Sequence, residues 1–101
     1  MGMIGFVVID RETISSVSSS TGFTTTYIPP LNVETAYAIV QAVGGSVRFC
    51  IDGTTPTSSK GMRLTEDSKV EVWGYAALVD FRAIDDGGTA KLEVIYMGRG
   101  A

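Results

Sequence analysis

The sequence predicts an all-β fold, a single-domain antiparallel β-sandwich or jelly-roll-like barrel, on three observations. Apolar and polar residues alternate with period two, most clearly over 46–52, where Val47, Phe49 and Ile51 fall on one face and Arg48, Cys50 and Asp52 on the other. Such segments recur at roughly ten-residue spacing, the signature of a sandwich or barrel. Turn chemistry separates them at Asp52-Gly53, Glu66-Asp67-Ser68 and Asp85-Asp86-Gly87-Gly88. There, carboxylates that can bond their own backbone stand beside residues suited to reversing the chain.

Taken in order, the apolar run Met3-Ile4-Gly5-Phe6-Val7-Val8-Ile9 predicts a first strand, buried on both faces or covered by a neighbouring subunit. It lacks a basic start and is too short for a signal peptide or a membrane span. Phe6 stands where a myristoylation signal would want Ser or Thr. A soluble, unexported protein is expected. Serine and threonine dominate 13–26, broken by Ile14, Val17 and Phe23, and the β-rich stretch 23–28 predicts a second strand, stopped by Pro29-Pro30. The expected organisation is an N-terminal arm over residues 1–28 and a β-sandwich core over 29–101. The arm is expected to make most inter-subunit or partner contacts.

Segment 33–43 fits two periods. Ala36, Ile39, Val40 and Val43 sit at helical spacing with Asn32 as a possible cap, whereas Tyr37, Ile39 and Gln41 read as one strand face. Gly44-Gly45 leads straight into the alternating segment that follows, which favours a strand and a hairpin. Further strands are expected at 62–64, 69–73, 79–83 and 91–96. The apolar phases place Val47, Phe49, Ile51, Val70, Val72, Phe81, Leu92 and Val94 in the core, because a one-residue slip would bury Arg48, Lys69 or Glu93 instead.

The chain has 101 residues, 45% of them hydrophobic, enough for one folded domain with a real core. A net charge of −3 with interspersed signs supplies no basic stripe to neutralise phosphates, so no direct nucleic-acid partner is expected. There is one cysteine and no histidine. That excludes an internal disulfide, a Cys–His pair, a Ser–His–Asp triad and a zinc site of Cys/His type. Cys50 reads as a small half-buried hydrophobe. Glu66-Asp67 and Asp85-Asp86 are adjacent turn carboxylates expected to face solvent, whereas acid–base catalysis needs two carboxylates facing one substrate. The glycine pairs lack the lysine and the helix of a phosphate loop. No catalytic residue, cofactor or metal is expected.

Three blocks carry a resemblance. Residues 38–57 read Ala-Ile-Val-Gln-Ala-Val-Gly-Gly-Ser-Val-Arg-Phe-Cys-Ile-Asp-Gly-Thr-Thr-Pro-Thr. The second block runs from Gly61-Met62-Arg63-Leu64 through Val70-Glu71-Val72-Trp73-Gly74. The third is Val79-Asp80-Phe81-Arg82-Ala83-Ile84, ending in the β-rich 90–96. Together they resemble a family of small tailed-phage virion structural proteins, short β-proteins of the capsid-decoration (cement) or head–tail joining type. The resemblance covers roughly residues 33–97 and carries over no catalytic residue. It implies a non-enzymatic protein of the phage head that binds the major capsid protein or another virion protein, as a homodimer or homotrimer. Decoration of the shell is the first expectation, and a head–tail or tail joining role the alternative. A carbohydrate-binding β-sandwich module is a further alternative, with Trp73 and Tyr75 flanking Gly74 as a stacking platform. The expected partner interface comprises Ile4, Phe6, Val8, Phe23, Tyr27, Trp73 and Tyr75.

Overall fold

The computed structural model describes residues 5–57, 59–86 and 89–99. Its centre is β7 (Lys91–Arg99), in which Leu92, Val94 and Tyr96 point inward and alternate with Lys91, Glu93, Ile95 and Met97. Both sides of β7 are taken by antiparallel neighbours of equal length, β1 (Phe6–Ile14) and β2 (Thr35–Val43). On the far side of β2 lies β5 (Lys69–Trp73), which gives a four-stranded sheet in the order β1-β7-β2-β5. The second sheet is smaller. There β3 (Val47–Cys50) lies between β4 (Met62–Leu64) and β6 (Arg82–Asp85). Val17, Ala38, Val40, Val47, Phe49, Val72, Phe81, Leu92, Val94 and Tyr96 belong to one buried cluster. The fold is therefore the expected all-β sandwich of antiparallel sheets, and 35–43 is a strand.

Five expectations need correction. The Gly44-Gly45 step is no hairpin: β2 and β3 belong to different sheets. Both hydrogen-bonding sides of β2 are filled by β7 and β5, so the chain leaves through Gly44, at φ +78°, and crosses to the other layer. A glycine pair reports a sharp change of direction, and only the neighbours decide whether the strands it joins pair.

Ile51 is 44% exposed rather than buried. Strand β3 ends at Cys50, and Ile51 belongs to the bend that contains Asp52 and Gly53. Alternation cannot be extended past the last ladder bond.

Segment 79–83 is not one strand. Gly74, at φ +94°, ends β5, and the short helix α1 (Tyr75–Asp80) follows before β6 begins at Arg82. Ala76, Ala77 and Leu78 are good helix formers, and the helix buries Leu78 completely. Phe81 keeps its place in the core from the junction, stacked on Phe23 with ring centroids 4.2 Å apart.

Finally, residues 5–28 are no separate arm. Val17, Phe23 and Ile28 lie in the same buried cluster as the sheets, and β1 runs along β7 from Phe6↔Arg99 to Ile14↔Leu92. Thr21 exchanges a pair of backbone hydrogen bonds with Ala83, each 2.9 Å, and Asp85 N–H donates to the Val17 carbonyl at 2.9 Å. Sparse apolar residues in a Ser/Thr-rich stretch are enough to anchor it where each one fills a core position. Nor is 23–28 a strand: Tyr27 and Ile28 N–H donate to the Thr24 and Thr25 carbonyls at 3.1 Å and 3.4 Å, closing a short 3-10 turn over Thr25–Tyr27 that lets Phe23 and Ile28 both reach the core. Strand β1 carries a register shift between Val8 and Asp10 that turns Ile9 toward the core. It can do so because Gly98 has no side chain: a Cβ there would stand 2.6 Å from Ile9 Cδ1 and 2.5 Å from the Glu34 carbonyl oxygen.

Candidate interaction face

The inner face of the large sheet is covered by the second sheet and the 15–28 excursion. Its outer face can be read row by row from the register. Val8 opposes Met97, Met97 opposes Tyr37, and Tyr37 opposes Trp73, so one row crosses all four strands with apolar side chains only. The next row runs Arg11–Ile95–Ile39–Glu71, apolar in the middle with a cation at one edge and an anion at the other. The third, Thr13–Glu93–Gln41–Lys69, is polar throughout. Apolarity on this face is therefore concentrated at the end where β1 begins and β5 stops.

At that end the aromatics are organised. Tyr37 and Trp73 stack at 3.9 Å with an 11° interplanar angle. Phe6 crosses β7 to meet both edge-on, at 5.3 Å and 5.4 Å, within the range favoured by the ring quadrupoles. The Trp73 indole N–H donates to Glu71 Oε1 at 2.9 Å, so its polar atom is satisfied. Even so, Phe6 remains 41% exposed, Val8 59% and Trp73 49%. Three large apolar side chains on one patch, rimmed by charge, form the kind of surface that marks protein association.

Of the residues expected at an interface, Phe6, Val8 and Trp73 are brought together here although far apart in sequence. Ile4 lies outside the described residues. Phe23 is a core residue and unavailable to a partner, because the excursion that carries it folds inward onto Phe81 and Tyr96. Tyr27 is half-buried against Tyr96 at 5.2 Å. Tyr75 is exposed but begins α1, beyond the turn at Gly74, so it does not share a strand face with Trp73 as expected. Tyr37, Ile39, Ile95 and Met97 are not among the residues expected at an interface, although the sequence puts Tyr37 and Ile39 on one strand face. Their signal was present: in Val94-Ile95-Tyr96-Met97 and Ala36-Tyr37-Ala38-Ile39-Val40 both strand phases are apolar, which leaves an apolar outer face whenever the inner one is filled.

Other polar clusters serve the fold. Asp86 Oδ2 lies 3.0 Å from Arg63 Nε and 3.7 Å from Arg48 Nε, and Arg48 also donates to the Gly61 carbonyl at 3.1 Å. Asp85 accepts the Ala90 N–H at 2.7 Å. These two carboxylates are thus engaged and half-buried, contrary to the expectation that they face solvent, because the turn folds back over β3. Asp52 accepts the Thr54 N–H at 3.0 Å, and its carboxyl is held below the usual range by that bond and then by the Thr54 side chain. An open groove of about 240 Å³ runs beside Phe49, Cys50, Ile51, Asp52, Gly61 and Met62, and its wall is almost wholly apolar. Among the described residues no group of three or more His, Cys, Asp or Glu side chains is placed to hold a metal ion, and no helix is long and apolar enough to cross a membrane. Comparison with known protein families, curated proteins and solved structures finds no match to this chain.

Proposed function

We propose that this chain is a non-enzymatic virion structural protein of a tailed phage, a capsid-decoration protein that strengthens the head shell by binding neighbouring major capsid protein subunits. The observation that carries the reading is the row Val8–Met97–Tyr37–Trp73, in which Val8, Trp73 and the overlying Phe6 stay exposed around a buried Tyr37. A small domain that leaves Phe6, Val8 and Trp73 exposed together on one rigid sheet face is shaped to be covered by protein. The virion assignment rests on the resemblance of residues 33–97. Those residues include β2 and β5, which place Tyr37 and Trp73 on the face.

Quantitative mass spectrometry of purified virions tests the assignment. Hundreds of copies per particle support shell decoration. A count of about six or twelve, matching the symmetry of a ring, moves the chain to the connector or tail, the joining role. Absence from the particle rejects a virion role. Carbohydrate binding has weaker support, because Trp73 gives one ring face to Tyr37 and its indole N–H to Glu71.

A further inference from the structure

We propose that the outer face of the β1-β7-β2-β5 sheet is closed by a second copy of this chain, related by a two-fold axis that runs parallel to the strands. This rests on the reading above only in taking that face as an association surface: it gives the face to a second copy, so a decorating dimer would meet the shell through its other surfaces. The choice of occupant comes from the Arg11–Ile95–Ile39–Glu71 row. Arg11 and Glu71 are both exposed, and among the described residues neither has an ion-pair partner within the chain. They stand at opposite edges of the sheet, on β1 and β5, at the same level along the strands.

A two-fold along the strands lays β1 of one copy over β5 of the other, and β7 over β2, without changing the level of any row. Arg11 then meets Glu71 of the partner subunit, and the symmetry makes that contact twice. Ile95 lies over the Ile39 position, Met97 over Tyr37 and Val8 over Trp73, so the apolar rows cover each other. In the polar row Thr13 lies over Lys69 and Glu93 over Gln41. No like charges are opposed in any of these rows. The other face-to-face two-fold, perpendicular to the strands, fails on the same residues. Centred on this row, it sets Arg11 against Arg11 and Glu71 against Glu71, and it lays the apolar row over the polar one. An isologous interface must be complementary to itself, and under the first operator this face is. Packed sheets lie about 10 Å apart with interdigitated side chains, a gap that Phe6, Trp73 and Met97 can fill.

The test is analytical ultracentrifugation of the full chain over a concentration series, with Arg11→Glu, Glu71→Arg and the double exchange, each checked for an unchanged far-UV circular dichroism spectrum and for a urea midpoint matching wild type at dilutions where both are monomeric. A wild-type dimer is expected. Each single exchange opposes like charges twice and should weaken dimerisation by at least about tenfold. The double exchange restores opposite charges and should recover most of the loss. Glu71→Arg also removes the acceptor of the Trp73 indole, so Arg11→Glu is the cleaner single variant. Trp73→Ser should give a monomer.

A wild-type chain that stays monomeric at all concentrations overturns the proposal, as does a dimer indifferent to both the exchanges and Trp73→Ser. A monomer whose shell binding is lost with Trp73→Ser also overturns it and leaves the decoration reading standing. A dimer that responds as described but is absent from virions supports the interface and removes the decoration reading instead.

Discussion

The hydroxyl of Tyr96 on β7 donates to the carboxylate of Glu12 on β1, and the same carboxylate accepts the N–H and the hydroxyl of Thr24 at 3.2 Å and 2.6 Å. One side chain thus ties the Ser/Thr-rich excursion to both strands beneath it. Phe23 and Tyr27 complete the attachment by packing on the Tyr96 ring. A hydrogen bond to a charged acceptor contributes more than a neutral one, so Tyr96→Phe should lower stability by about 2 kcal/mol. A fall in the urea midpoint with an unchanged slope would measure it.

Burial, and then the Glu12 carboxylate, push the Tyr96 hydroxyl above the range in which tyrosines ionise. The folded chain keeps a proton that the unfolded chain releases above about pH 10. The contribution to stability is therefore whole below that pH and is lost as the pH rises further. In an alkaline NMR titration the Tyr96 ring signals should hold their neutral positions until the chain unfolds. A reversible titration of Tyr96 in the folded state, near the ordinary tyrosine value, would contradict the buried contact.

Truncation to residue 29 should not leave a folded sandwich. It removes β1 from the edge of β7 and takes Val17, Phe23 and Ile28 out of the core. Phe23→Ala alone should cost about 3–5 kcal/mol, the range for emptying a buried aromatic site. Thermal unfolding checks both; a cooperative transition in the truncated chain would show that 29–99 folds independently.

Asp52 is fully exposed, and its carboxyl is held down mainly by the Thr54 N–H and then by the Thr54 side chain. Its folded value lies below the unfolded one, so the small stabilisation it supplies is present above the ordinary carboxylate range and fades as the pH falls through the folded value. Carbon-detected NMR titration should find Asp52 ionising at lower pH than in a peptide of the same local sequence, and Thr54→Ala should move it upward.

Cys50→Ser should leave association intact and change stability by about 1 kcal/mol or less, the scale of a substitution away from the core. The thiol is half-buried on β3 and lines the small groove, away from the aromatic row. Sedimentation and a urea melt of the variant check both parts. Loss of association with the fold preserved would give the thiol a role at the interface.

Where one strand phase is polar, the fold was legible. Val47, Phe49, Val72, Leu92 and Val94 are buried as alternation requires, and Asp52-Gly53 forms the turn its chemistry suggests, with Gly53 at φ +85°. Legibility failed where the deciding contact is remote. Gly44-Gly45 cannot show that both sides of β2 are occupied, and Val79 cannot show that the turn at Gly74 starts a helix. The candidate face was half legible. Phe6, Val8 and Trp73 stand out as apolar residues at exposed positions, but only the register of β7 and β2 reveals that they share a row with Met97 and Tyr37.

Trp73 is the only tryptophan in the chain and sits half-exposed on this face, so its fluorescence reports directly on whether protein covers it. Iodide quenching of Trp73 should be efficient in dilute solution and should fall, with a blue shift of the emission, as rising concentration drives the proposed dimer. Arg11→Glu should move that transition to higher concentration. A tryptophan that stays equally quenchable at every concentration and on intact particles would contradict the claim that this face is the surface through which the protein associates.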